Sequence, residues 1–396
     1  MKIKLLSILL TSVLLLCACS NPNTSSYIGS RHQPILFDGT HIYGGMGTDL
    51  LSFVSTTTTT YSPLCMNPTC DHSRSNESCE ARSTITINSF TLSSDGNVIV
   101  GGRDPADPFT YSAILLNTTT GKHQYIIKQI PNNINAMLVI NDTLYFLSQI
   151  DDGDSNEGEH VVCYVPLSGG KVQIINLPED DYYFAGADPQ YLYLLSTYSR
   201  SILAVEYLNN FTYHTLYTFN ESESTDCFIQ NNAIYTYNNL TKKDVTATNN
   251  TDEYVDPQAI TNNYTLYSLS KRDLSSLEIS ATSTATYQST PWGTISGNYI
   301  YLPHFSPSLD TIRNDNNENK YPIHRNPGID IIDINTMELK ETIEIPNTNV
   351  IAVIHADDDI IVYYSYRFEE NLMYYMGWYD RSNGNTHEYS VDWYDN

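Results

Sequence analysis

Positive charge is scarce in this chain. Against 45 Asp and Glu stand 20 Lys and Arg, a formal net charge of −25 over 396 residues. A phosphate backbone is held by clustered Lys and Arg, so a nucleic-acid partner is excluded. Docking on an anionic surface through a basic patch is excluded for the same reason. Tryptophan is almost absent, with Trp292, Trp378 and Trp393 the only three. That removes repeat families built around one Trp per unit, the Trp-Asp dipeptide repeats among them. There is no Gly-x-Ser-x-Gly, no phosphate-binding loop and no His-Glu-x-x-His. Hydrolases of the nucleophile-elbow type, P-loop nucleotidases and thermolysin-like metalloproteases therefore have no footing here. Beyond residue 16 no apolar run approaches the length needed to cross a bilayer as a helix.

What is abundant is a short pattern in seven copies. An apolar run meets a polar turn, and a second apolar run leaves it. The clearest copy is Ala136–Ile140, turn Asn141-Asp142-Thr143, then Leu144–Leu147. The other turns are Asp38-Gly39-Thr40, Ser94-Asp95-Gly96-Asn97, Asp188-Pro189-Gln190, Asn231-Asn232, Ser296-Gly297-Asn298 and Asp357-Asp358-Asp359. Asn, Asp and Gly reach positive φ or form Asx-turns cheaply, so each copy predicts a β-hairpin. A further apolar pair follows several hairpins, turning at Thr118–Gly121, Ser168–Gly170 and Asn335–Met337. Four short antiparallel strands per unit predict an all-β propeller of seven four-stranded blades, with six or eight as alternatives. The anchors Ile42, Val98, Leu144, Leu192, Ile234, Ile300 and Ile361 are 56, 46, 48, 42, 66 and 61 residues apart. Blade repeats run about 40–50 residues, so three intervals carry insertions. Residues 32–396 are read as one domain, with the last strand, near Tyr389 to Trp393, closing against the first blade. The pairs Gly44-Gly45 and Gly101-Gly102 follow a hairpin strand as in kelch units, but five copies lack the pair.

The N-terminus predicts export. Lys2 and Lys4 precede an apolar run from Leu5 to Leu16 that is too short to span a bilayer comfortably. Leu16-Cys17-Ala18-Cys19 resembles a bacterial lipobox. The resemblance implies a signal peptide over 1–18, a lipid on Cys19 and a polar tether over 19–31. The expected location is the cell membrane, anchored by that lipid and facing away from the cytoplasm.

One cluster is chemically distinctive. Cys65, Cys70, His72 and Cys79 stand as Cys-x4-Cys-x-His-x6-Cys inside an insert at 62–82. Three thiolates and an imidazole complete a tetrahedral structural zinc site. A disulfide between two of the three Cys would staple the same loop in an oxidising exterior. The stretch from Pro63 to Ala81 resembles a motif of secreted β-propeller lipoproteins of anaerobic Firmicutes, which share the lipobox, the early Cys/His insert and the propeller repeats. That resemblance brings no activity with it. Cys163 and Cys227 fall on units two blades apart and read as buried free thiols.

Asp152, Asp154 and Asn156 have the 1-3-5 spacing of a weak calcium loop, but the twelfth position is Cys163, and a solvated acidic hairpin tip competes. A charged insert runs from Leu309 to Pro327, and an Asn/Thr-rich one from Thr241 to Asp256. The functional expectation is a binding or scaffold module for a protein, peptide or glycan. The alternative is a carbohydrate-active hydrolase or lyase, which would need carboxylates converging at the channel mouth.

Overall fold

The computed structural model describes Tyr27–Ile28 and residues 35–391, apart from 46–50, 66–68, 71–78, 80, 82–83, 108, 132, 151–158, 179, 241–265, 288–289, 315–316, 326 and 369–371. Among the described residues there is no helix, hence none long and apolar enough to cross a membrane. Strand β1 (Tyr27–Ile28) comes first. Blade 1 follows as β2 (Leu36–Phe37), β3 (His41–Gly44), β4 (Ser52–Ser55) and β5 (Tyr61–Pro63). Blade 2 is β6 (Thr86–Leu92), β7 (Val98–Arg103), β8 (Tyr111–Leu116) and β9 (His123–Ile130). Blade 3 is β10 (Asn135–Ile140), β11 (Thr143–Ile150), β12 (Glu159–Pro166) and β13 (Gln173–Ile175). Blade 4 is β14 (Tyr182–Ala187), β15 (Tyr191–Ser196), β16 (Ser201–Glu206) and β17 (Thr212–Thr218). Blade 5 is β18 (Glu223–Gln230), β19 (Ala233–Leu240), β20 (Leu266–Asp273) and β21 (Ile279–Tyr287). Blade 6 is β22 (Gly293–Ser296), β23 (Tyr299–Pro303), β26 (Gly328–Asp333) and β27 (Leu339–Glu344). Between its second and third strands stands a separate hairpin, β24 (Ser306–Asn314) and β25 (Asn317–Arg325). Blade 7 is β28 (Asn349–Ala356), β29 (Ile360–Phe368), β30 (Leu372–Asp380) and β31 (Asn385–Ser390). The expected seven-bladed propeller is what forms, and the charged insert at 309–327 is largely a hairpin.

The turns form for the reason their residue types predict. Asp38 Oδ1 accepts from the backbone N–H of Thr40 at 2.9 Å and of His41 at 2.7 Å. Asp188 does the same for Gln190 and Tyr191, and Asp357 for Asp359 and Ile360. Asn141, Asp142, Asn231 and Asn232 take the positive φ that a tight hairpin demands.

First strands of neighbouring blades touch, β2 with β6 and β28, β6 with β10, β14 with β18, β22 with β28. They therefore line the centre, and the fourth strands, such as the largely exposed β17, form the rim. Because strand direction alternates, the first-to-second and third-to-fourth turns share one face. The second-to-third turns and the blade-to-blade connections share the other. The short Asp and Asn turns occupy the former face, and every long insertion falls on the latter.

Seven apolar clusters hold the ring, one at each blade interface. Blades 1 and 2, for example, meet through Leu36, Tyr43 and Leu51 against Ile87, Phe90 and Val100. The closing interface of blades 7 and 1 joins Trp378, Met376 and Val362 to Ile35, Phe37, Ile42 and Val54. There Tyr389 donates from its hydroxyl to the Thr59 carbonyl at 2.6 Å and stacks on Tyr61. The last strand thus lies beside the first blade, as expected. Trp378, 1% exposed, stacks on His387 and Tyr389. Trp378→Ala should lower stability in urea by about 3–5 kcal/mol, the usual cost of truncating a fully buried Trp. Tyr389→Phe, which deletes a single hydrogen bond, should cost about 1 kcal/mol.

Candidate metal centre and a buried carboxylate site

The Cys insert is the connection from β5 to β6, on the insertion-bearing face. Its two ends hang on one residue. Leu64 N–H donates to the Leu51 carbonyl at 3.0 Å, and Leu51 N–H donates to the Ala81 carbonyl at 2.9 Å. Leu51, Leu64 and Ala81 are buried, so the hinge of the insert is part of the interface between blades 1 and 2. Between these ends the Sγ atoms of Cys65, Cys70 and Cys79 all lie within 4.8 Å of one another. Cys79 is buried, and Cys65 and Cys70 are half-buried. No disulfide joins any two of them.

Thiolates bound at about 2.3 Å around a tetrahedral ion lie about 3.8 Å apart, so the trio fits a metal with little movement. The electrostatics point the same way. Burial pushes the Cys79 thiol up to about 11, and the neighbouring Cys70 and Cys65 thiols add to the rise. Without a cation the two neighbouring thiols disfavour ionisation of Cys79. A bound cation reverses that balance and takes thiolates as ligands. The expected fourth ligand, His72, lies outside the described residues, as do Cys19 and the acidic loop with Asp152, Asp154 and Asn156. Cys163 and Cys227 are buried free thiols on blades 3 and 5, as expected.

Sequence reading missed a second constellation. Asp330 on β26 is 2% exposed. Its Oδ1 accepts from Thr342 Oγ1 at 2.7 Å and pairs with His304 Nδ1 at 2.8 Å, and its Oδ2 accepts from the Tyr287 hydroxyl at 3.3 Å. His304 is anchored by its own N–H on the Gly328 carbonyl at 2.8 Å. The four side chains come from three strands and one connection, so no local pattern announces them. Two similar buried carboxylates occur elsewhere. Glu223 accepts from Tyr217 and pairs with Arg272 at 2.6 Å, and Glu388 accepts from Thr348, Tyr363 and Ser365 and pairs with Arg367.

No family model and no curated protein matches the sequence. Solved structures do match its shape. One is a prolyl endopeptidase whose inter-domain dynamics have been analysed, at TM-score 0.55 and 11% identity. The match covers 92% of this chain and 50% of the other, so the chain spans about half of that enzyme's length. Another is the oligogalacturonate lyase of Vibrio parahaemolyticus, at TM-score 0.52 and 9% identity, covering 90% of this chain and 91% of that one. At such identities the likeness is one of fold.

Cys70→Ser should abolish metal retention and loosen the 65–81 segment while the ring stays folded. The test is metal content beside near-ultraviolet circular dichroism, and global unfolding would contradict a local clamp. The bond to Asp330 raises the His304 imidazole above its ordinary 6.5. A raised imidazole stabilises the fold fully below 6.5, and that contribution is lost as pH climbs through the folded-state value. The stability difference between the wild type and His304→Gln, read by urea unfolding from about pH 5.5 to about pH 8.5, should therefore shrink as pH rises. Glu344 adds to the rise, and Asp330 is the direct partner.

Proposed function

We propose that this chain is a lipid-anchored, extracytoplasmic propeller that acts as a binding or scaffold module. Its ligand surface is the face that carries the insertions. One observation carries this reading: the long excursions gather on a single face. They are the Cys insert from β5 to β6 and the β24–β25 hairpin, and the end of β19 and the start of β20, which flank another long insertion in sequence, lie on the same face. Loops on a rigid scaffold are where recognition is built. Two side chains at the turns of that same face stand out in solvent, Phe109 at 78% and Tyr198 at 76% exposure. Exposed aromatic side chains suit stacking on sugars or peptide side chains.

The acidic residues of the described turns speak against a catalytic channel mouth. Asp38, Asp188 and Asp357 lie on the opposite face, and each is engaged with its own turn. With a net charge of −25 the preferred ligand is neutral or basic. Zinc in the Cys65, Cys70 and Cys79 site, with His72 as the fourth ligand, would stiffen the insert as part of that surface. A closed site of this kind leaves no position for a substrate.

The test is a paired binding screen, on glycan and peptide arrays, of the wild type and Phe109→Ala/Tyr198→Ala. Ligand binding that drops about tenfold or more in the double variant, with an unchanged melting temperature, supports the reading. Release of sugar products from an arrayed polysaccharide would overturn it in favour of the carbohydrate-active alternative. Cys19→Ala should move the protein from the membrane to the soluble fraction.

A further inference from the structure

Blade 6 differs from the other six blades. Its sheet has five strands in the order β1-β22-β23-β26-β27, and the fifth is added on the inner side. Strand β1 pairs antiparallel with β22, Tyr27 opposite Thr294 and Ile28 opposite Gly293. It also touches β28, the first strand of blade 7. Since first strands line the centre of the ring, β1 runs in the channel.

The acceptor edge is unusual in its surroundings. Just before β22, Trp292 forms a parallel bridge to Ala352 of β28, and its carbonyl accepts from Val353 N–H at 3.0 Å. Blades 6 and 7 are thus joined through backbone at the channel wall, and β22 presents its remaining edge beside that junction. An edge strand with free N–H and C=O groups is a template for any extended peptide. The residues that fill it are Tyr27 and Ile28, both strand-forming types.

The topology agrees. β22 runs from the insertion-bearing face to the short-turn face, so antiparallel β1 runs the other way. It ends on the face where β2 begins. The eight residues from Ile28 to Leu36 span up to about 28 Å, ample for that link.

We propose that the channel-facing edge of β22 is a strand-acceptor site for an extended peptide, and that Tyr27–Ile28 occupies it in cis. The N-terminal segment is then a tethered ligand of its own propeller, and a free peptide binds only by displacing it. This inference does not depend on the lipid at Cys19, nor on what the opposite face binds.

Hydrogen exchange on the full chain tests it. The backbone amides of Gly293–Ser296 should be protected in the wild type. Tyr27→Pro/Ile28→Pro removes both amide donors of β1 and should cut protection along β22 by about tenfold or more. A synthetic peptide of residues 23–31, added to that variant, should restore it. Exchange elsewhere in blade 6, at β23 and β26, reports that the blade itself is intact. Fast exchange of the β22 amides in the wild type would overturn the proposal without any variant. So would protection that is indifferent to the two prolines, or a peptide at about millimolar concentration that restores nothing.

Discussion

The ring stands on side-chain packing between sheets that share no strand. Each blade is built on four strands that follow one another outward from the centre, so the four-stranded ladders end at the blade boundary. Apolar clusters cross from one blade to the next at every boundary, and single hydrogen bonds, such as those from Val353 to Trp292 and from Tyr389 to Thr59, add to them. The closing boundary is built like the other six, yet it must join residues more than 300 positions apart. It is also where the largest buried side chain, Trp378, is placed. Loop closure over that distance is entropically costly, and a large aromatic contact is a strong compensation. The Cys insert depends on the same packing, because its hinge residues Leu51 and Leu64 belong to the boundary of blades 1 and 2.

Two compositional excesses explain each other. The chain has 32 Tyr and 45 acidic residues, and the buried or half-buried carboxylates repeatedly take a phenol as donor. Tyr43 donates to Asp38, Tyr193 to Asp188, Tyr217 to Glu223, Tyr287 to Asp330 and Tyr363 to Glu388. A phenol carries an apolar ring into the interface and a donor to the carboxylate, so one residue serves both burial and satisfaction. Burial, and after it the hydrogen-bonded carboxylate, keeps these phenols protonated, pushing Tyr43, Tyr193 and Tyr217 far above 10. These five carboxylates are therefore engaged in structure, not offered to a ligand.

The fold was legible because its units are local. Hairpin turns such as Asn141-Asp142 announce themselves within a dozen residues, and seven repeats of one pattern leave few architectures. The three thiols were legible too, since they lie within 15 residues of chain. The Asp330 site was not: His304 and Asp330 are 26 residues apart and Tyr287 comes from another blade. A partial signal existed in Asp38…Tyr43 and Asp188…Tyr193, where an acid at the turn is followed five residues later by Tyr. The pairing of β1 with β22 lies beyond local patterns, because it joins residues 27 and 294 through two residues in a polar stretch.

Ile35 and Val391, at the two ends of the ring, belong to one and the same apolar cluster. None of the seven four-stranded ladders draws a strand from the far end of the chain, and β1, which lies before the ring, is the one addition. The ring's starting point is a matter of where the gene opens the circle. A cut at any blade-to-blade connection, with 391 joined to 35, would leave the seven four-stranded ladders and the apolar interfaces as they are and give up only the β1–β22 pair. In this sense the propeller is cyclic in its physics and linear only in its covalent bonds.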